Sequence, residues 1–249
     1  MSGRGPTGGG RSRLGSVLSG LAVAVGCVLF LGGFAWGAVV YKPYTVPTQS
    51  MTPTVHSGDR VLAERIDGAA VRRGDVVVFT DPAWGDMPMV KRVVGIGGDK
   101  IACCGKDGRL TVNGKPLDEP YLQNKDRASA EDFTAQVPEG QLFLLGDDRT
   151  ASLDSRVHLE DAGKGSVPRD AVQARVDAIA WPMNGMVERP EAFAGLPGGI
   201  SSPGPLRSQL WAVIVGMVLI VGGAAYGPVE TLLTRSSRDE RERQPAGAR

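Results

Sequence analysis

Ser50 stands in the stretch Val46-Pro-Thr-Gln-Ser-Met-Thr-Pro-Thr54, between Pro47 and Pro53. Proline fixes its own φ and pushes the preceding residue toward extended geometry, so this turn is stiff. A stiff turn holds a hydroxyl in one place, as a nucleophile requires. It would serve equally as a rigid connection into a domain. A serine nucleophile also needs a base. The chain has two histidines, and no G-x-S-x-G surrounds Ser50. His56 precedes Ser57-Gly58-Asp59, a turn signal that predicts a surface position. His158 follows Asp154-Ser155-Arg156 in a polar loop, where a histidine is ordinarily solvated.

A lysine is the other possible base. Met89-Val-Lys-Arg-Val-Val-Gly-Ile96 reads as a strand of period two. Lys91 shares a face with Met89 and Val93; Arg92 shares the other with Val90, Val94 and Ile96. The pattern buries one cation or the other at least partly. A guanidinium does not deprotonate in proteins, which leaves Lys91. An unperturbed lysine, at ~10.4, is neutral in only about one molecule in a few thousand at pH 7. Holding it neutral there costs roughly 4–5 kcal/mol. Burial lowers lysine pKa values by up to ~3–5 units, which removes most of that cost. The same strand also fits a lysine that extends its head group to water. A third stretch, Leu145-Gly-Asp-Asp-Arg-Thr-Ala-Ser-Leu-Asp-Ser-Arg156, follows a hydrophobic strand with acids, arginines and serines. That density of hydrogen-bonding groups predicts an ordered network rather than a solvated turn.

Short β-type runs must carry these residues: 75–79, 89–96, 100–104, 109–112, 141–145 and 172–181. Asp107-Gly108 and Asn113-Gly114 are hairpin signals. No long amphipathic helical period interrupts them. The fold class is therefore mainly β and antiparallel, occupying residues 42–195, with a smaller hairpin-bearing β insertion over 97–137. Within the insertion, Gln123 to Asp132 is polar and reads as mobile. The Pro/Gly/Ser-rich segment 196–207 reads as a linker.

Two uncharged stretches flank this domain, residues 14–41 and 208–229. Each reaches the ~20 residues that a bilayer-spanning helix needs. Ala35 and Gly37 have the spacing of a signal-peptide cleavage site, but the first stretch is nearly twice the ~7–15 residues of a signal h-region. Both are expected to be transmembrane helices. Arg4, Arg11 and Arg13 precede the first, and Arg235, Arg238, Arg241 and Arg243 follow the second. By the positive-inside rule the N-terminus (1–13) and the tail (230–249) are cytoplasmic, and the β domain lies outside the cytoplasm. With a net charge of +1 over 249 residues, nothing points to nucleic acid as a partner. Cys103 and Cys104 are adjacent and too few for a zinc site. Buried thiols, a vicinal disulfide or pairing with another chain all fit them.

Taken in order, these stretches resemble the bacterial type I signal peptidases, membrane-bound Ser-Lys proteases. Ser50-Met-Thr-Pro-Thr54 with Gly58-Asp59 is similar to the nucleophile box, and Arg73-Gly-Asp-Val-Val-Val-Phe79 to the next strand. Lys91-Arg-Val-Val-Gly95 with Gly98-Asp99 is similar to the general-base box. Gly146-Asp-Asp-Arg149, Ser152, Asp154-Ser-Arg156 and Gly165-Ser-Val-Pro168 are similar to the last box. Gly97 and Asp148 stand where the family usually has proline and asparagine. The resemblance implies Ser50 as nucleophile and Lys91 as general base, then acid. It implies Ser152 as the hydroxyl that orients the lysine, and an oxyanion hole formed by the Ser50 N–H with the hydroxyl of Thr48. Asp154 and Arg156 become an ion pair shaping the loop, with Asp147 in the same network. No metal or organic cofactor is implied. The implied substrates are exported preproteins, cut after Ala-x-Ala at the outer face of the cytoplasmic membrane, in contact with lipid and near the translocon. A Ser-His signal peptidase would need histidine at position 91. A self-cleaving repressor of related fold would carry a DNA-binding module. An inactive membrane-tethered β scaffold, or another processing protease of the same family, are the remaining alternatives.

Overall fold

The computed structural model describes residues Gly10–Arg243. Arg4 and the last six residues lie outside the described residues, as do the side chains of residues 10–14 and 227–243, which carry the other flanking arginines. The chain divides into two units, one formed by its ends and one by Val40–Gly204.

The end unit is a pair of helices, α1 (Gly10–Val40) and α2 (Leu206–Arg243). Gly15–Val40 and Leu206–Tyr226 are long and apolar enough to cross a membrane by length and composition, with mean hydropathies of 2.3 and 1.9. Their outward faces are apolar: Val28, Leu31 and Trp211 are all well exposed. Glycines make the seam. A side chain at Gly26 would strike the Gly216 carbonyl, and one at Gly223 would strike Val23. Ser19 Oγ donates to the Gly223 carbonyl at 2.7 Å. Close backbone approach through small residues is how helices associate where the surroundings are as apolar as their side chains.

The second unit is built on an antiparallel sheet. Its strands are β1 (Tyr41–Thr45), β2 (Arg60–Glu64), β3 (Val76–Phe79), β4 (Met89–Ile96), β9 (Gln141–Leu145), β10 (Ser166–Pro168), β11 (Val172–Trp181) and β12 (Gly185–Met186). They run in the order β1-β2-β11-β3-β4-β9-β10, with β12 on β11. The insertion adds β5 (Lys100–Cys103), β6 (Thr111–Val112), β7 (Lys115–Pro116) and β8 (Phe133–Gln136), ordered β7-β6-β5-β8. Asn113 and Gly114, both at positive φ, make the two-residue turn between β6 and β7.

Alternation on β3 sends Val76 and Val78 into one core, with Met51, Val55 and Val176, and Val77 and Phe79 into another, with Leu142, Leu144 and Val167. A third core lies between the main sheet and the insertion, joining Val94, Phe143 and Leu145 to Ile101, Leu110 and Val112. Strand β4 is therefore covered on both faces, and the fold buries both of its cations, Lys91 and Arg92, where the strand pattern alone offered a choice. The stretch read as mobile is pinned at its end: Ala128 and Ser129 are buried, and Arg156 Nη1 donates to Ser129 Oγ at 3.2 Å. Cys103 and Cys104 form a vicinal disulfide. Trp84, whose ring would also suit a lipid interface, is held between Phe79 and His158, with its ring 4.4 Å from the histidine's. Trp181 is 66% exposed.

The segment read as a linker is strapped to the sheet. Arg73 Nη1 donates to the Pro197 carbonyl at 2.6 Å, and Ser201 Oγ donates to Asp75. Beside it the two ends of the β unit meet. Tyr41 Oη donates to Asp177 Oδ2 at 2.7 Å, Arg189 Nη2 donates to Asp177 Oδ1 at 2.5 Å, and Gly204 fits only because it lacks a side chain, facing Asp177, Tyr41 and Glu64.

Candidate active site

The turn between β1 and β2 holds Ser50. Met51 and Val55, both fully buried, root it in the core. Backbone bonds close it: Val46 N donates to Asp59 O at 2.9 Å, Gly58 N to Val46 O at 2.8 Å, and Val55 N to Met51 O at 2.9 Å. Ser57 Oγ adds a bond to the Pro47 carbonyl at 2.9 Å. These bonds, with the two prolines, leave Ser50 little freedom.

Strand β4 brings Lys91 to it. Lys91 Nζ donates to Ser50 Oγ at 2.7 Å, and the two side chains come from positions 41 residues apart in the chain. Ser50 is 7% exposed and Lys91 5%. Burial lowers the Lys91 amine from its ordinary value to about 8; Asp154 pulls it up, Arg156 pushes it down and Asp147 pulls it up. Thr48 Oγ1 lies 3.2 Å from Ser50 Oγ on the open side.

The loop after β9 closes the site from below. Asp148 N donates to the Ser50 carbonyl at 3.1 Å. Gly146 N donates to Asp154 Oδ2 at 3.0 Å, and Arg156 grips Asp154 with two bonds of 2.8 Å. Burial pushes the Asp154 carboxyl up, but Arg156 and the Gly146 N–H more than reverse this and hold it below the usual carboxylate range. Asp147 accepts from Arg92 Nε at 2.8 Å and Nη2 at 2.7 Å, and from Thr54 Oγ1 at 2.5 Å. Burial pulls the Arg92 guanidinium down, and the charge and hydrogen bonds of Asp147 more than restore it. Ser155 ties the loop back to β9: its N–H donates to Leu144 O at 3.0 Å, and its hydroxyl accepts from Leu144 N at 2.8 Å.

Ser152 is buried in this loop, yet among the described residues no hydrogen bond joins it to Lys91. Its hydroxyl has no hydrogen-bond partner among the described residues and lies against Gly146. The histidines stand apart. His56 is half exposed with Nδ1 3.8 Å from Asp59, and His158 Nδ1 lies 2.7 Å from Asp161 while its ring stacks on Trp84. His158 is thus packed rather than freely solvated.

Two residues of the last box had no role read from the sequence. At Gly146, a Cβ would overlap Ser152 Oγ and the Ser50 carbonyl oxygen. Gly146→Ala should therefore push the Ser50 turn away from the loop and lower stability by about 1–3 kcal/mol, the usual cost of overpacking. An unchanged thermal melting temperature would show that the close approach is not needed. Arg149 is the other, and its partner Glu119, with Tyr121, had no sequence signal at all. Arg149 bridges Glu119 and the Gly146 carbonyl, and a pairing across 30 residues leaves no local pattern.

Comparison with known proteins gives the chain a family. The family model described as "Signal peptidase, peptidase S26" matches residues 17–181. The probable signal peptidase I of Mycobacterium leprae is 31% identical over 201 residues, covering 57% of this chain and 69% of the relative. Signal peptidase IB of Staphylococcus aureus is 33% identical over 182 residues, covering 66% and 88%. A crystal structure of a signal peptidase I from Enterococcus faecalis shares 31% identity, covers 42% of this chain and 95% of its own, and superposes with a TM-score of 0.35. With two thirds of its length matched by the model, this chain belongs to the signal peptidase family, peptidase S26.

Proposed function

We propose that this protein is a signal peptidase I that cuts the signal peptides of exported preproteins after small residues, Ala-x-Ala, with Ser50 and Lys91 as its reacting pair. The observation that carries the reading is the 2.7 Å contact between two buried side chains, one of them a lysine lowered to about 8. Neutral Lys91 takes the Ser50 hydroxyl proton as Oγ attacks the scissile carbonyl. The Ser50 N–H and the Thr48 hydroxyl face the oxyanion. The resulting ammonium gives its proton to the leaving amine, and the same lysine then activates the water that frees the acyl group. Asp147, Asp154 and Arg156 set the charge around the amine, and Ser152, buried in the same loop, would orient it only on a hydroxyl contact formed during the reaction.

The two apolar helices support a membrane location, with both termini cytoplasmic and the β unit on the outer side near the translocon. A substrate held in the same bilayer meets the site at raised effective concentration. The exposed Trp181 is of the residue type that favours a lipid interface.

Cleavage of a model preprotein by full-length wild type, Ser50→Ala and Lys91→Ala in detergent tests the pair. Both variants should fold and neither should cut; full activity in Lys91→Ala would end the reading. The pH profile is a separate test. Only neutral Lys91 is a base, so kcat/KM should rise tenfold per pH unit up to about 8 and level off above it. An acid limb near the ordinary lysine value would contradict a buried base.

A further inference from the structure

Glu119 and Tyr121 belong to the insertion, and no step above uses them. The Tyr121 ring lies 4.2 Å from the Arg92 guanidinium, face on. Its hydroxyl donates to Glu119 Oε1 at 2.5 Å. Glu119 in turn takes both ends of Arg149: Nη2 donates to Oε1 at 2.5 Å and Nη1 to Oε2 at 3.0 Å. Arg149 also donates through Nε to the Gly146 carbonyl at 3.1 Å and through Nη1 to the Ala128 carbonyl at 3.0 Å. Two arginines therefore hold the loop after β9 from within, Arg149 at Gly146 and Arg92 at Asp147, and both are seated on the insertion. That loop holds Ser50 in its turn, by the Asp148 N–H on the Ser50 carbonyl and by the close approach of Gly146.

We propose that Glu119 and Tyr121 are positioning residues for peptide-bond cleavage: they fix Arg149 and Arg92, which set residues 146–148 and, through them, the Ser50 turn. Gly146 has no side chain with which to pack, so the loop takes its place from directional donors, and Arg149 supplies a planar fork suited to that. Charge-assisted bonds of this kind are the strong ones, and a network of them is rigid only when every member is satisfied. Burial, with Glu119 beside it, pushes the Tyr121 phenol well above its ordinary range, so the hydroxyl remains a donor wherever the enzyme works.

The inference rests on Ser50 and Lys91 being the reacting pair, and the test separates the two ideas. Full-length Tyr121→Leu, Tyr121→Phe, Glu119→Gln and Lys91→Ala are compared on one preprotein, measuring kcat, KM, the acid limb of kcat/KM and thermal melting. Tyr121→Leu and Glu119→Gln should lose about 10- to 100-fold in kcat per folded molecule, with KM little changed. Tyr121→Phe keeps the ring on Arg92 and should recover most of the kcat. The acid limb of Tyr121→Leu should move to higher pH as water enters behind the site. Lys91 is faced by Ser50 from the turn, by Val77 from β3, and by Asp147, Asp154 and Arg156 from the loop, and burial is the largest influence on it. Should Tyr121→Leu fail to fold, Glu119→Gln, of the same shape, decides the matter. Wild-type kcat and acid limb in the folded insertion variants, beside an inactive Lys91→Ala, would overturn this inference alone. Activity in Lys91→Ala would overturn the reading beneath it.

Discussion

Replacing Lys91 with methionine should abolish cleavage and stabilise the fold at neutral pH. The loss of activity has a simple origin. In the proposed mechanism one amine is both base toward Ser50 and acid toward the leaving group, so its removal should cost at least about 10⁴-fold. The gain in stability follows from burial. The amine titrates at about 8 in the folded protein and at 10.5 ordinarily. Between those values the unfolded chain binds the proton and the folded chain does not, so wild-type stability rises with pH across this window. Below pH 8 the protein carries the full penalty, about 3 kcal/mol at ~1.4 per unit. Methionine has similar length and no charge, but it forgoes the bond to Ser50, worth about 1 kcal/mol. A net gain of roughly 2 kcal/mol at pH 7 should raise the Tm by about 4–8 °C for a domain of this size. The gain should fade as pH rises from 8 to 10.5. Thermal melts of both proteins at several pH values check this. A methionine variant less stable than wild type at pH 7, or a difference indifferent to pH, would contradict it.

Asp147→Ala should have the opposite effect. The Arg92–Asp147 pair is almost fully buried, at 1% and 0% side-chain exposure. Removing one partner strands the other charge in a low-dielectric interior, which costs about 3–5 kcal/mol. Against a total stability of about 5–15 kcal/mol this is a large share. The same loop carries the Ser50 contact, so activity should fall with stability. Urea unfolding monitored by tryptophan fluorescence measures the loss. The exposed pair Arg109–Asp107 supplies the control: Asp107→Ala should leave the midpoint unchanged. A double variant, Arg92→Met with Asp147→Leu, should recover much of the stability, because apolar residues of similar volume can replace a buried pair. If Asp147→Ala matched its exposed counterpart, the network around Gly146 would not hold the loop as described.

The parts of the site that were legible in the sequence were those with a local cause. Two prolines around Ser50 marked a rigid hydroxyl, and the period-two pattern of 89–96 put one of two cations, Lys91 or Arg92, inward. Hydrophobic runs and turn signals gave most strands, with β4, β9 and β11 at their expected bounds. What could not be read was long-range partnership. The strand pattern could not bury both Lys91 and Arg92, because the acid that allows it, Asp147, stands 55 residues from Arg92. Ser129 looked like part of a mobile stretch, because its anchor, Arg156, lies 27 residues on. Strand β1 was hidden for a different reason: its first residue, Tyr41, closes the uncharged stretch that makes α1. Trp84 illustrates a competition that composition cannot judge. An aromatic ring suits a lipid interface and a stacked histidine equally, and here the histidine takes it.

The meeting of Tyr41, Asp177 and Gly204 bears on mechanics. The chain enters and leaves the β unit at one point, so a pull on its two ends meets the Tyr41–Asp177 bond first. Tension along the chain would load that bond, between the first residue of β1 and the middle of β11, before the inner strands. The Ser50 turn would then keep its register while the ends of the unit are strained.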